Sequence, residues 1–260
     1  MDIRTMDIPI VRAGGRWLRR VNDRHPWSHD DHFHGWVLRR LPARPLPVRL
    51  KLVRPLPLRP LRRPLRVLDV GCGRGLLLSR LRGRFDEVLG VDVDAAMASV
   101  AAERFAGDPS VTVRQTRFEE VDGTFDAVTM IAVLHHLPLE PALRHAAELL
   151  APGGRLLVVG LARANSLTDL AWDLPSSLLN PLVGLMKHPQ PIRTPVDDGG
   201  PGADGGGADG GGGDTEPVMP VRDPAETFAE ISRTARAVLP GARLRRRLFF
   251  RYTLEWTRPR

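Results

Sequence analysis

The chain of 260 residues contains one cysteine, one tyrosine and, among 38 basic residues, only two lysines, Lys51 and Lys187. A lone Cys72 excludes an intrachain disulfide and any zinc site built from several cysteines. Long clean apolar runs are also missing. The most apolar segment, 167–186, is interrupted by Asp169, Asp173, Pro175 and Pro181, so no membrane span is expected. The first 25 residues mix Asp, Arg and Gly and lack the apolar centre of a secretory signal, which makes the cytoplasm the expected compartment. The scarcity of lysine bears on the charge. A net +8 and a pI near 11.0 ordinarily raise the question of nucleic acid. With 36 of the 38 basic residues being arginine (38 minus 2), alongside abundant Ala, Gly and Pro, the excess reflects GC-rich coding better than selection for phosphate contacts.

The residues present suffice for one large domain with appendages, since 42% are hydrophobic. Residues 1–41 end in an expected helix over 28–41, with Ser28 as N-cap, Asp30 and Asp31 in the first turn, and Phe33, Val37 and Leu41 on one face. Seven prolines between Pro42 and Pro64 make 42–65 an extended or polyproline II linker. Within it Arg54-Pro55-Leu56-Pro57-Leu58-Arg59-Pro60 matches a proline-rich ligand pattern, which so biased a segment produces by chance.

From 66 to 161 strands and helices alternate. Strands are expected at 66–70, 87–91, 111–115, 125–130 and 155–160, and helices at 76–81, 95–105 and 141–150. That alternation means parallel strands joined by right-handed crossovers. Pro152-Gly153-Gly154 is expected to end the last of these helices and turn the chain into its strand. Residues 162–223 form a lid or insertion whose Gly-rich part, 197–214, holds ten glycines and no large apolar side chain, hence expected disorder. Its Leu178, Leu179, Leu182 and Val183 read as a substrate lid or core cover. Residues 224–260 complete the fold, with an amphipathic helix at 224–238 and two strands marked by Leu244, Leu248, Tyr252, Leu254 and Trp256.

The densest chemical signal is Asp69-Val70-Gly71-Cys72-Gly73-Arg74-Gly75. An apolar strand ends in an acid, and glycines then recur at every second residue before a helix. The glycines let the backbone turn sharply and approach a ligand closely. Asp69 decides which ligand. A pyrophosphate in this turn would be repelled by the carboxylate, whereas a phosphate-free nucleoside carrying a sulfonium and an ammonium would be attracted. The G-x-G-x-G spacing likewise differs from the G-x-G-x-x-G of NAD enzymes.

On these residues the sequence resembles the class I S-adenosylmethionine-dependent methyltransferases, over about 66–161 and the closing strand pair. The resemblance implies an α/β fold: a Rossmann-like doubly wound sheet, mostly parallel with an antiparallel C-terminal strand pair and an N-terminal lid helix. It also implies S-adenosylmethionine as cofactor, S-adenosylhomocysteine as product, and a loop of Asp69, Gly71, Cys72 and Gly73 around the methionine part. Asp92, 17 residues beyond Gly75, would accept the ribose hydroxyls and Val93 would pack on adenine. Where the family carries an acid after the third strand, this chain has Arg117, with Phe118 left to border the adenine and Glu119 as a displaced acceptor. Ile131 to Leu137 resembles the loop beside the transferring methyl group, which places His135 and His136 as candidate bases. Neither the Asn/Asp-Pro-Pro-aromatic tail of nucleobase amino methylases nor the Pro-Cys nucleophile of cytosine C5 methylases is present. A small-molecule acceptor is therefore expected, not a nucleic acid. The resemblance also implies a lid helix over the cofactor, with His32, His34 or Trp36 lining the substrate pocket. His25, His29, His32 and His34 with Asp31 make a metal site conceivable, but the cover helix is the better reading and no metal is expected.

Overall fold

The structure is a computed structural model and describes residues 29–42, 63–165 and 223–260. The linker at 43–62, the segment at 166–222 with its Gly-rich run, and residues 1–28 lie outside the described residues, and so do the expectations that fall on them.

In chain order the elements are α1 (His29–Arg40), β1 (Arg66–Val70), α2 (Leu78–Leu81), β2 (Glu87–Asp92), α3 (Ala95–Arg104), β3 (Val111–Gln115), β4 (Phe125–Ile131), α4 (Leu139–Leu149), β5 (Leu150–Leu161), α5 (Phe228–Val238), β6 (Arg243–Arg246) and β7 (Arg251–Thr257). The seven strands form one sheet in the order β3-β2-β1-β4-β5-β7-β6. Pairs from β3 through β5 are parallel, and β7 runs antiparallel to both β5 and β6. The order reverses between β1 and β4. At such a switch point the crossovers leave to opposite sides and a crevice opens at the carboxyl ends of the strands.

Each face is sealed by its own core. On one face α4 and α5 pack Ala142, Leu143, Ala146, Leu149, Ile231 and Ala235 against β-strand residues such as Leu68, Val128, Leu156 and Val158. On the other, Leu78, Leu81, Ala101 and α1 cover Val67, Val88, Ala127, Leu157 and Val159. β1 and β4 are buried nearly throughout, which is why they read as continuous apolar runs instead of alternating ones. α5 begins at a reciprocal cap. The Thr227 hydroxyl accepts from the Glu230 N–H at 3.3 Å, and the Glu230 carboxylate accepts from the Thr227 N–H at 2.7 Å.

One expectation is corrected. Pro152-Gly153-Gly154 does not separate a helix from a strand: α4 ends at Leu149 and β5 starts at Leu150, so the triplet lies inside β5 as an irregularity between Phe125 and Ala127 of β4. Backbone beyond β7 stitches it in place, with Gly153 N–H donating to the Arg258 carbonyl and Arg258 N–H to the Gly154 carbonyl, both at 2.9 Å. The apolar side of α1 packs against the sheet. Phe33, Trp36, Val37 and Leu41 are all buried. Burial contributes roughly 1.5–3 kcal/mol per such side chain, which opposes any opening of this helix as a unit.

Candidate active site

β1 lies between β2 and β4, and the register sets Asp69 beside Gly90 on one side and Thr129 on the other. The carboxyl group of Asp69 is buried, and the Thr129 hydroxyl donates to its Oδ1 at 2.6 Å. Burial pushes its pKa from 3.8 up to about 7; the Thr129 hydrogen bond opposes the rise and the charge of Asp92 adds to it. A carboxyl group so placed is only partly ionised at neutral pH, and a nearby cation would favour its ionised form.

The loop after β1 folds back onto β2. Gly71 and Cys72 N–H both donate to the Val91 carbonyl, at 2.8 and 3.0 Å, and Gly75 N–H donates to the Cys72 carbonyl. Gly71 sits at φ 65°, and a β-carbon there would collide with the Val133 side chain. Gly90 is constrained by contact: a β-carbon would meet Leu78 and the Cys72 sulfur. The Cys72 thiol is thus wedged against β2, and burial with two nearby carboxylates pushes its pKa far above the ordinary thiol range. It is packing, not a nucleophile.

Asp92 closes the loop from the other side. Its Oδ2 accepts from Gly73 N–H at 2.8 Å and its Oδ1 from Asp94 N–H at 3.0 Å. Each carboxylate oxygen has a second lone pair, so both can accept a further hydroxyl. Asp94 caps α3, accepting from the Ala96 and Met97 N–H groups. Between these acids Val93 stands 63% exposed, and Leu76, directly after Gly75, is 42% exposed; they are the exposed large apolar side chains among the described residues. One exposed apolar side chain is unremarkable, but here one follows each of the two segments joined by the Gly73–Asp92 hydrogen bond.

The end of β4 forms the third wall. Ala132 takes φ 56°, sparsely populated for a residue with a β-carbon, while its N–H is held by the Val159 carbonyl. That turn presents Val133 to Gly71 and leads into a short 3₁₀ turn, Leu134–His136. The rings of His135 and His136 lie 4.0 Å apart between centres. Ile131, the last residue of β4, is half-buried.

Other expected residues take different surroundings. Phe118 belongs to the core: it is 3% exposed, its ring meets His145 edge-on, and His145 Nε2 donates to the Phe118 carbonyl at 3.1 Å. Arg117 and Glu119 point outward, 4.0 Å from each other. His32 is exposed, edge-on to Phe33 and Phe249, and His34 is buried. Trp36 lines a cleft shared with Arg40 and Glu255, on the helix-covered face beside β6 and β7. Among the described residues no group of three or more His, Cys, Asp or Glu side chains is arranged to hold a metal.

Three participants escape sequence reasoning. Thr129 has no local mark, because its role depends on the β1–β4 register sixty residues from Asp69. Val133 matters through the space Gly71 leaves. Leu76 reads as an inner helix position until α2 is seen to start only at Leu78.

A parallel sheet with strand order 3-2-1-4-5-7-6, a reversed last strand, a buried acid and glycine turn after β1, and an acid ending β2 together define a class. The chain belongs to the class I S-adenosylmethionine-dependent methyltransferases, and S-adenosylmethionine is its cofactor. The family model described as a methyltransferase domain matches residues 68–156. An uncharacterized methyltransferase of Mycobacterium tuberculosis is 34% identical over 200 residues, covering 74% of this chain and 87% of that protein. A ubiquinone biosynthesis O-methyltransferase of Alkalilimnicola ehrlichii is 38% identical over 104 residues, 38% of this chain and 42% of the relative. Among solved structures, an S-adenosylmethionine-dependent methyltransferase from Mesorhizobium loti is 26% identical over 38% of this chain and 47% of its own, with TM-score 0.35. The YcgJ protein of Bacillus subtilis covers 83% of this chain and 70% of its own at 20% identity and TM-score 0.48.

Proposed function

We propose that the chain methylates a small-molecule acceptor at an oxygen, nitrogen or carbon nucleophile, by in-line displacement in the crevice between the β1 loop, the end of β2 and the end of β4. The observation that carries this reading is the Asp69–Thr129 pair: a desolvated carboxyl group at the mouth of a glycine turn.

S-adenosylmethionine, when bound, supplies a methyl group already activated on a sulfonium. The residues of this chain fit it. Asp69, with the backbone of Gly71, Cys72 and Gly73, faces the cationic methionine portion. Asp92 keeps the glycine loop in place and offers its remaining lone pairs to the ribose hydroxyls. Val93 gives the adenine an apolar face, and Ile131 borders the reacting end. Phe118 acts from beneath, as core support for the turn at Phe118–Glu120. His135 or His136 takes the acceptor's proton where the nucleophile must lose one. Transfer from a sulfonium to a neutral nucleophile disperses charge, so alignment in a dry crevice supplies much of the acceleration; orientation of this kind is worth up to roughly 7–11 kcal/mol.

The acceptor is read as a metabolite because the nucleobase-methylase signatures are missing after β4 and a relative over the core is named for ubiquinone biosynthesis. Incubation with methyl-labelled cofactor and either a metabolite extract or total RNA tests this. Label is expected in low-molecular-weight products; label confined to RNA would overturn the small-molecule reading.

A further inference from the structure

The outer edge of the sheet carries a second charged site that methyl transfer does not use. Two-residue spacing sets Arg243 and Arg245 on one face of β6, with Arg247 continuing the series just past its end. That face meets the C-terminal half of α1. There Arg40, Arg243, Arg245 and Arg247 converge on a cleft of about 90 Å³, and Trp36, Thr253 and Glu255 complete its walls. Four guanidinium groups face one carboxylate, an excess of three positive charges (4 minus 1).

The existing contacts leave that excess unanswered. Glu255 is taken by Arg40 at 3.0 Å, and the Arg40 guanidinium lies 4.5 Å from the centre of the Trp36 ring. Arg247 Nε donates to the Thr253 hydroxyl at 3.1 Å, a neutral partner. Arg243 and Arg245 have no carboxylate partner among the described residues. Desolvation and the charges of Arg40 and Arg245 lower the pKa of Arg247, the sign of cations held together unfavourably. A coding bias supplies arginine everywhere, but it does not supply this convergence of four on one cleft.

The cleft is apart from the cofactor crevice. β6 lies four strand spacings from β1, across β4, β5 and β7, or about 19 Å at ~4.8 Å per spacing. Guanidinium forks are suited to bidentate contact with planar or tetrahedral oxoanions. A water-sized group needs only about 10–15 Å³ by a comparable measure, so the cleft has room for a small tetrahedral ion.

We propose that this cleft binds a phosphate group, either inorganic phosphate or the phosphate of a phosphomonoester metabolite, bridging α1 to β6 at a site separate from the cofactor crevice. Such a bridge ties the helix to the sheet edge, so occupancy stabilises the fold.

The test is thermal unfolding and calorimetric titration of the full chain with inorganic phosphate and with phenyl phosphate, against chloride and acetate at matched ionic strength. A saturable rise in Tm with phosphate or with phenyl phosphate, absent with chloride and acetate, is expected; which probe binds more tightly distinguishes the free ion from an ester. The double variant Arg243→Ala/Arg245→Ala removes two exposed side chains and should weaken that binding at least about tenfold while cofactor binding stays unchanged. Glu255→Gln frees Arg40 and should strengthen it, an effect opposite in sign to structural damage. Absence of a saturable response, indifference to the double variant, or weakening by Glu255→Gln would each overturn the proposal. So would binding of a short RNA at this face without any response to either phosphate probe.

Discussion

Lowering the pH from 8 to 5.5 should weaken cofactor binding through a single carboxyl group, Asp69. With its pKa in the free protein at about 7, Asp69 is mostly ionised at pH 8 and mostly protonated at pH 5.5. A bound cation favours the ionised form, so the pKa falls on binding and a proton is released. The sign follows directly: affinity is flat above the free-protein pKa and falls about tenfold, or about 1.4 kcal/mol, for each pH unit below it. At pH 5.5, one and a half units below, the expected loss is about thirtyfold. Isothermal titration calorimetry with S-adenosylhomocysteine reads this without turnover, because that ligand keeps the ammonium group. Repeating the titration near pH 7 in buffers of differing ionisation enthalpy should show about half a proton released per site. The Asp69→Asn variant should bind weakly at every pH and release none. A flat profile with no proton release would mean that Asp69 is already ionised or does not face the ligand's charge, and the electrostatic reading of the site would be lost.

Thr129→Val removes the hydroxyl that donates to Asp69 while keeping the shape of a fully buried side chain. A hydrogen bond to a charged group is worth roughly 1.5–3 kcal/mol, so the midpoint of the pH profile should move up by about one to two units. An unmoved midpoint would remove Thr129 from the site. Gly71→Ala places a methyl group against Val133 at φ 65°, and should cost about 1–3 kcal/mol in strain as well as cofactor affinity; denaturant unfolding and titration read the two effects separately, and wild-type behaviour in both contradicts the loop geometry. Thr227→Ala breaks the reciprocal cap of α5 and should lower stability by about 1 kcal/mol with catalysis unchanged, as a shifted denaturation midpoint with constant kcat/KM would show.

Much of this fold is legible before any coordinates, for reasons visible in particular residues. β1 and β4 are short, mostly apolar segments bounded by glycine, proline or acidic turns, and their expected ends agree with the observed ones to within a residue. The alternation of Tyr252, Leu254 and Trp256 marks the final strand, and its reversed direction is what the family resemblance implies. Other features are set by partners distant in sequence. Pro152-Gly153-Gly154 has the local chemistry of a turn, and only Arg258, a hundred residues on, makes it part of β5. The apolar face of α1 is legible from the spacing of Phe33, Val37 and Leu41, whereas the strand residues it packs on, such as Leu157 and Val159, are set by a partner more than a hundred residues away. The site divides in the same way. Asp69, the glycines and Asp92 sit at fixed short spacings, so their pattern survives as a string. Thr129, Val133 and the meeting of Arg40 with the arginines of β6 arise from register and packing, where spacing along the chain carries no signal.

The account stands most directly on calorimetric titration of the wild-type chain and Asp92→Ala with S-adenosylmethionine, run beside NAD. Saturable binding of the methyl donor by the wild type, a loss of at least about tenfold in Asp92→Ala, and no heat with NAD are predicted. Retention of donor affinity in the variant, or preferential uptake of the pyrophosphate-bearing nucleotide, would contradict it.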